Sequence, residues 1–312
     1  MFIKANEVTQ NKKFVMLISG SPGIGKTTLA LSAPNPILID LDRGRERVKP
    51  QHRKEAIVVQ SYDELLTDIE SAEFKQFETV VIDTGGSLVT YMQDHYKNLD
   101  GKYRQRDGSI SLKGFGAVKQ AFIDLTNQLN TLSNKNVIYI FHTVEEKDKD
   151  GNAIQRLMCE GAARNLVWQP CDFGCYMYMQ GDSRMLGFTP TETYFAKGCH
   201  GITGARKLPT LTDNIPNDYL TKMFAEANAN IAAETEFFKA DKEAYDKAIE
   251  AGRALVAGVQ SLEDIEAFGG NFKHITHALT SEKEIKAMFS EKVKELGYKW
   301  DGAKKAYAKI EG

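Results

Sequence analysis

The chain has 312 residues, of which 42% are hydrophobic and 26% charged, and a formal net charge of −2. That length carries one full α/β domain with a smaller attachment, and the near-neutral balance excludes a globally basic surface, so any contact with nucleic acid must come from local patches. Apolar runs of about 18 residues or more are missing, and residues 1–13 lack the apolar stretch of a secretory signal, so a soluble, cytoplasmic protein without a membrane span is expected.

Taken in chain order, Phe14 to Ser19 is an unbroken apolar run that ends in a glycine-rich turn, and Lys26 to Ser32 after it suits a helix. Pro36 to Asp40, Ala56 to Gln60 and Thr79 to Asp83 repeat the apolar run, which is the pattern of strands buried on both faces of a parallel sheet. Between them, Tyr62 to Phe74 places Leu65, Leu66 and Ile69 on one helical face. A fifth run, Asn136 to Phe141, follows an amphipathic helix carrying Val118, Phe122, Leu125, Leu129 and Leu132. Strands alternating with helices predict an α/β fold with a wound, mainly parallel sheet.

From Asp172 to Phe195, Tyr/Met/Phe-rich segments separated by Gly181-Asp-Ser and Thr189-Pro190 read as a β-hairpin extension of that sheet. After Pro216 the composition changes again. Glu234 to Val256 is rich in Ala, Glu and Lys, and Ser281-Glu-Lys-Glu284 looks like a capping box opening a helix that closes at Gly297. The expected division is an ATPase domain over 1–220 and a helical C-terminal region over 221–312. Cys159, Cys171, Cys175 and Cys199 form no CxxC pair and read as reduced, buried thiols.

Gly20-Ser21-Pro22-Gly23-Ile24-Gly25-Lys26-Thr27, followed by Thr28, satisfies G-x-x-x-x-G-K-[ST] between a buried strand and a helix. Glycines let the backbone curl until successive N–H groups face phosphate oxygens. Lys26 would bridge the β- and γ-phosphates of ATP, and the Thr27 hydroxyl would bind Mg²⁺. Asp83, ending an apolar strand, is the second acidic element and would hold the Mg²⁺.

With those residues in place, the chain resembles the RecA/DnaB-like ATPases, and among them the phage-encoded RecA-like single-strand annealing proteins of the Sak superfamily. The resemblance covers residues 12 to 205 and implies a RecA-like sheet. It matches Asp42, in Ile37-Leu-Ile-Asp-Leu-Asp42, to the carboxylate that activates the attacking water. His142 matches the polar residue after the fifth strand that contacts the γ-phosphate. Lys197, in Ala196-Lys-Gly-Cys-His-Gly-Ile-Thr-Gly204, matches the lysine that reaches a neighbouring subunit's γ-phosphate, with Cys199 where an arginine would stand. The implied assembly is a homo-oligomer with ATP between subunits.

In RecA-like recombinases two loops hold single-stranded DNA, and the matching segments are 94 to 116 and 143 to 165. The first carries Lys97, Lys102, Arg104, Arg106 and Lys113 interleaved with Tyr96, Tyr103 and Phe115, which suits a strand whose phosphates meet cations and whose bases meet rings. The second has Glu145, Glu146, Asp148 and Asp150 ahead of Arg156 and Arg164 and is expected to contribute less. The expected function is an ATP-binding, ATP-hydrolysing recombination or single-strand annealing protein of phage type that binds single-stranded DNA; a P-loop nucleotide or small-molecule kinase and a non-hydrolysing nucleotide switch are the alternatives.

Overall fold

The apolar runs assemble into one nine-stranded sheet. The computed structural model describes residues 11–159, 163–212, 215–302 and 304–310. Its strands are β1 (Val15–Gly20), β2 (Pro36–Asp40), β3 (Ala56–Val58), β4 (Thr79–Asp83), β5 (Asn136–Lys147), β6 (Ala153–Leu157), β7 (Phe173–Gln180), β8 (Ser183–Gly187) and β9 (Ala205–Lys207). They lie in the order β3-β2-β4-β5-β1-β7-β8-β9, with β6 paired to the outer half of β5. The first six of that order are parallel, and β8 and β9 continue antiparallel. This is the RecA-like α/β arrangement, and it sets the carboxyl ends of β1, β4 and β5 side by side.

Every residue of β1, β2 and β4 is buried, which is why these strands read as continuous rather than alternating. The edge strand β3 is shorter than the run to Gln60 suggested. It stops at Val58 because the Gln60 N–H turns to the Glu64 carboxylate, 2.7 Å away, at the start of the next helix.

The helices are α1 (Lys26–Ala30), α2 (Tyr62–Asp68), α3 (Ala72–Lys75), α4 (Gly85–Leu99), α5 (Leu112–Asn127), α6 (Ala163–Leu166), α7 (Tyr219–Ala257), α8 (Leu262–Phe272) and α9 (Ser281–Glu295). The helix expected over Tyr62 to Phe74 is two, because Ser71 breaks it and accepts from Phe74 N to cap α3. The helix before β5 forms with Val118, Phe122, Leu125 and Leu129 buried in the core, but Leu132, expected on the same face, is exposed, because the wider terminal turn over Gln128–Leu132 breaks the spacing. One hairpin forms at Gly181-Asp182, joining β7 to β8. The second, expected at Thr189-Pro190, does not: Pro190 brings no N–H to a ladder, and the chain touches the sheet only through single bridges, Tyr194 to Gln155 and Lys197 to Gly174, before β9 pairs with β8.

The described chain divides into two compact units, Gln10–Asn230 and one that includes Ile231–Gly312. In the second, Ile249, Ile265, Phe268, Ile285, Phe289 and Val293 form a separate core, with Phe268 stacked on Phe289 at 3.7 Å. This region is not wholly helical, since β10 (Tyr298–Asp301) and β11 (Ala306–Lys309) make an antiparallel hairpin. The capping box sits elsewhere than expected. Thr280 is the N-cap of α9, while the Ser281 hydroxyl is buried and accepts from Ala278 N; the reciprocal Ser261–Asp264 pair caps α8 instead.

Candidate nucleotide site

The site grows from the end of β1. Gly20 has φ +150° and lies so close to β7 that a Cβ would come within 2.5 Å of the Met177 carbonyl, and Gly25 closes the loop at φ +105°. Helix α1 has only five residues, so attraction for a phosphate rests on the N–H groups of the loop more than on a helix dipole.

Lys26 is 4% exposed, and its ammonium donates to the carbonyls of Gly20 at 2.9 Å and Ser21 at 2.8 Å. Its third neighbour is His142 Nδ1 at 3.0 Å, at the end of the stretch where β5 runs beside β1. Burial pushes the Lys26 pKa down to about 8, against the pull of the Asp83 carboxylate. His142 is held below the usual imidazole range, by burial first and by the Lys26 charge second. A neutral His142 whose Nδ1 accepts from Lys26 carries its proton on Nε2, a donor available to a phosphate oxygen.

Two carboxylates, Asp83 and Asp42, line the cleft with this cation, and a third, Asp40, is near enough to act on Asp83. Asp83, at the end of β4, accepts from the Thr27 hydroxyl at 2.6 Å. Burial, then the nearby charges of Asp42 and Asp40, raise its pKa above the ordinary carboxylate value, with Thr27 and Lys26 opposing. A hydroxyl beside an acceptor-only carboxylate, with the Asp42 carboxylate lining the same cleft, fits Mg²⁺ completed by phosphate and water oxygens. Thr27 and Asp83 are the residues that would hold it. No group of three or more His, Cys, Asp or Glu suited to a metal occurs among the described residues. Cys159, Cys171 and Cys175 are free and buried, whereas Cys199, expected to be buried, is only half-buried.

Asp40 and Asp42 divide the remaining work. Asp40 is buried and caps the following turn, accepting from Gly44 N and Arg45 N at 2.8 and 3.0 Å. Asp42 reaches the cleft, and its partner is the Ser87 hydroxyl on α4 rather than Arg43 or Arg45. Ser87 is in place because Thr84 caps α4 directly after Asp83, and Gly85 leaves the space that the Phe141 ring fills. The Thr84-Gly-Gly-Ser87 segment therefore starts a helix directly after the strand.

Sequence reasoning missed two arginines here. Arg47, in the turn after β2, lines the same cleft opposite the phosphate loop and lies close enough to His142 to lower its pKa. Arg184, on β8, donates from Nε to the Ile24 carbonyl at 2.9 Å and props the loop from outside. No local pattern marks either; only the turn of the chain and the β7–β8 hairpin bring them in. Past Thr28 the cleft opens into a hollow of about 410 Å³ lined by Leu208, Leu211, Asn217, Tyr219 and Arg184. Asn217 ties it to α1 through a 2.7 Å bond to the Thr28 carbonyl.

Lys197 is not brought to this cleft within the chain. Its backbone pairs with Gly174 near the start of β7, and its ammonium donates to the Cys171 carbonyl. The arginine nearest to Cys199 in sequence, Arg206, is engaged as well. Arg206 forms a two-pronged pair with Glu226 at 2.8 and 2.9 Å, and the His200 carbonyl accepts from Asn230.

The basic segment 94–116 is an ordered loop rather than an open one. Asp100 caps a short turn at Gly101–Tyr103, Arg104 and Ile110 bridge across a tight bend, and Ser111 caps α5. Lys97 pairs with Asp94 and Lys102 with Asp100, whereas Arg104, Arg106 and Lys113 have no ion pair among the described residues. The segment 143–165 is mostly the β5–β6 hairpin, with Glu146 paired to Arg164 at 2.9 Å; residues 160–162 lie outside the described residues.

The sequence model of a family described as "AAA domain" matches residues 12–200. No curated protein matches the sequence. Among solved structures, the flagellar accessory protein FlaH from Methanocaldococcus jannaschii is similar at 9% identity, with 65% of this chain and 92% of that chain covered and a TM-score of 0.34.

Proposed function

We propose, from the premise that the chain belongs to the AAA domain family and is a P-loop ATPase, that it binds ATP with Mg²⁺ and hydrolyses it slowly while holding single-stranded DNA in recombination or annealing. The observation that carries the nucleotide part is the convergence of the loop N–H groups, Lys26 with His142, and Thr27 with Asp83 at the ends of three neighbouring strands. When bound, Mg²⁺ would supply Lewis-acid stabilisation of the phosphate oxygens. The chain's own part is to orient the γ-phosphate between Lys26 and His142 Nε2, and to present Asp42 to a water. The nucleoside would extend past Thr28 into the hollow beside Tyr219 and Asn217.

Support for the DNA part is chemical. Arg104 and Arg106 on the loop and Lys113 in the first turn of α5 leave charge without an ion pair among the described residues, and such a surface tracks a phosphate backbone; Tyr96 and Phe115 pack against the core, so the rings contribute less than the cations. Lys197 of a neighbouring copy is a further cation for the γ-phosphate in the assembly that the RecA/DnaB resemblance implies. Mixing Lys26→Ala with Lys197→Ala protein should then restore partial activity in verified mixed oligomers; failure to complement would remove the shared site.

The deciding experiment measures ATP hydrolysis with and without Mg²⁺ and single-stranded DNA. Mg²⁺-dependent turnover raised by single strands is the expected result. Tight ATP binding without turnover would favour the nucleotide switch, a reading supported by the Ser87 hydroxyl already engaging Asp42. Phosphoryl transfer to a small acceptor in place of water would make the protein a kinase.

A further inference from the structure

The chain's total charge of −2 conceals one stretch of opposite sign. Between Gly297 and Ile310, the segment that folds into the β10–β11 hairpin, four lysines stand against one acid, Asp301. Lys304 approaches Asp301 at 3.9 Å, while Lys299, Lys305 and Lys309 are exposed and have no ion pair among the described residues. Gly297, at φ +81°, turns the chain from α9 into β10, and the Ile310 N–H closes the hairpin on the Gly297 carbonyl at 2.8 Å.

Paired residues of an antiparallel ladder share a face, as do residues two apart along a strand, so Tyr298, Trp300, Tyr307 and Lys309 lie on one side. Tyr298 and Tyr307 turn that side to the core of the C-terminal unit, where Tyr307 meets Phe289 edge-on at 6.2 Å. Trp300 is the outer member of its pair. Its ring lies 5.1 Å from that of Tyr307 at 69°, yet it is 57% exposed, so the indole is braced by one neighbour and more than half open. Along the hairpin, Lys305 stands two positions from Tyr307 toward the tip and Lys309 two positions the other way, and cations therefore flank the ring pair at both ends. An open indole between unpaired ammonium groups matches an occupant in which flat rings alternate with phosphates. In a duplex the faces of the bases are covered, which leaves Trp300 nothing to stack on.

We propose that the β10–β11 hairpin is a second contact for single-stranded DNA, with one base stacked on Trp300 and the neighbouring phosphates met by Lys299, Lys305 and Lys309. The proposal rests on the single-strand reading above and adds a site in the C-terminal unit, whereas the basic loop at 94–116 belongs to the other unit. An acidic peptide or an anionic lipid surface would also answer the lysines, but neither alternates rings with its charges.

Trp168 and Trp300 are the two tryptophans of the chain, so the emission of full-length wild type minus that of Trp300→Phe reports on Trp300 alone. Both proteins would be titrated with oligothymidylate, with an abasic deoxyribose-phosphate oligomer of equal length and with a duplex, and binding followed in parallel by oligomer anisotropy. Oligothymidylate should quench the Trp300 signal, and the abasic strand and the duplex should leave it unchanged. Trp300→Ala should weaken oligothymidylate binding about fivefold or more, the scale of one lost stacked base. Lys299→Gln with Lys305→Gln and Lys309→Gln should flatten the salt dependence by about 2 log units per log unit, at about 0.7 for each phosphate contact. Circular dichroism and ATP turnover without DNA would check that both variants fold. Oligothymidylate binding with the Trp300 signal, the Trp300→Ala affinity and the salt slope all unchanged would overturn this site and leave single-strand binding standing. Quenching of Trp300 by polyglutamate or by phosphatidylserine vesicles in place of oligothymidylate would overturn it in the same way. No binding of any single strand would overturn both.

Discussion

The phosphate cleft and the basic loop at 94–116 both depend on cations, yet they hold them in different ways. In the cleft, Lys26 is buried, every donor is directed by strand ends and carbonyls, and the opposing carboxylates are fixed by Thr27, Ser87 and the turn after β2. In the loop, the order belongs to the backbone: Asp100 and Asp107 satisfy N–H groups of their own turns, and the Arg104 and Arg106 side chains have no ion pair among the described residues. A buried charge acts strongly at one place, while exposed charges act weakly and together, screened by salt. Mutations should therefore separate the two regions by magnitude as well as by kind.

The largest effect is expected for Lys26→Ala. It removes the cation facing the β- and γ-phosphates and should lower ATP turnover about 10³-fold, with circular dichroism showing an intact fold. Turnover equal to wild type would erase the contrast altogether. Asp83→Asn should cost about 10²-fold in turnover through loss of the Mg²⁺ ligand. Titration with Mg²⁺ would read this as a rightward shift of the activation curve, and the melting temperature should not fall, because a neutral amide is easier to bury than a carboxylate near Asp40 and Asp42.

Arg47 tests whether the cleft's advantage comes from burial. It lines the cleft but is exposed, so Arg47→Ala should reduce kcat about tenfold, far less than the 10³ or more of a desolvated arginine finger, with little change in KM. A loss as large as that of Lys26→Ala would mean that nucleotide closes the cleft around it. The smallest effect belongs to the loop. Because Lys102 is already paired with Asp100, Arg104→Gln with Arg106→Gln should flatten the salt dependence of single-strand binding by about 1.4 log units per log unit, and adding Lys102→Gln should change it little further. A full additional step of about 0.7 from Lys102 would show that its ion pair opens on binding.

Much of the sheet was legible because β1, β2 and β4 are buried on both faces, and burial forces unbroken apolar runs of matching length. The phosphate loop was legible because its demands are local: glycines at fixed offsets, a lysine and a hydroxyl. Arg47, Arg184 and Ser87 were not, since each is placed by a turn or by a distant strand and carries no pattern of its own. Asp40 and Asp42 illustrate the limit. Two carboxylates two residues apart looked alike in sequence, and only the tight turn through Gly44 shows that one caps backbone while the other faces the cleft. In the C-terminal unit, S-x-x-E at Ser281 matched a capping box, but Thr280 took the N-cap and left the Ser281 hydroxyl buried. The β10–β11 hairpin escaped notice because strands of four residues carry too little alternation to read.

Strand β5 changes partners in mid-course: parallel to β1 through His142, antiparallel to β6 from Thr143 onward. Inserting or deleting one residue at this joint would exchange inside for outside along the rest of the strand, taking Thr143 off its face. The hairpin tip at 148–152, closed on itself by Asp148, carries no such parity. Length is thus free to vary at the tip, whereas at the joint only the kind of side chain can change. A chain-length scan of this hairpin should show that division directly, with odd-numbered changes tolerated at the tip and refused at residues 141–143.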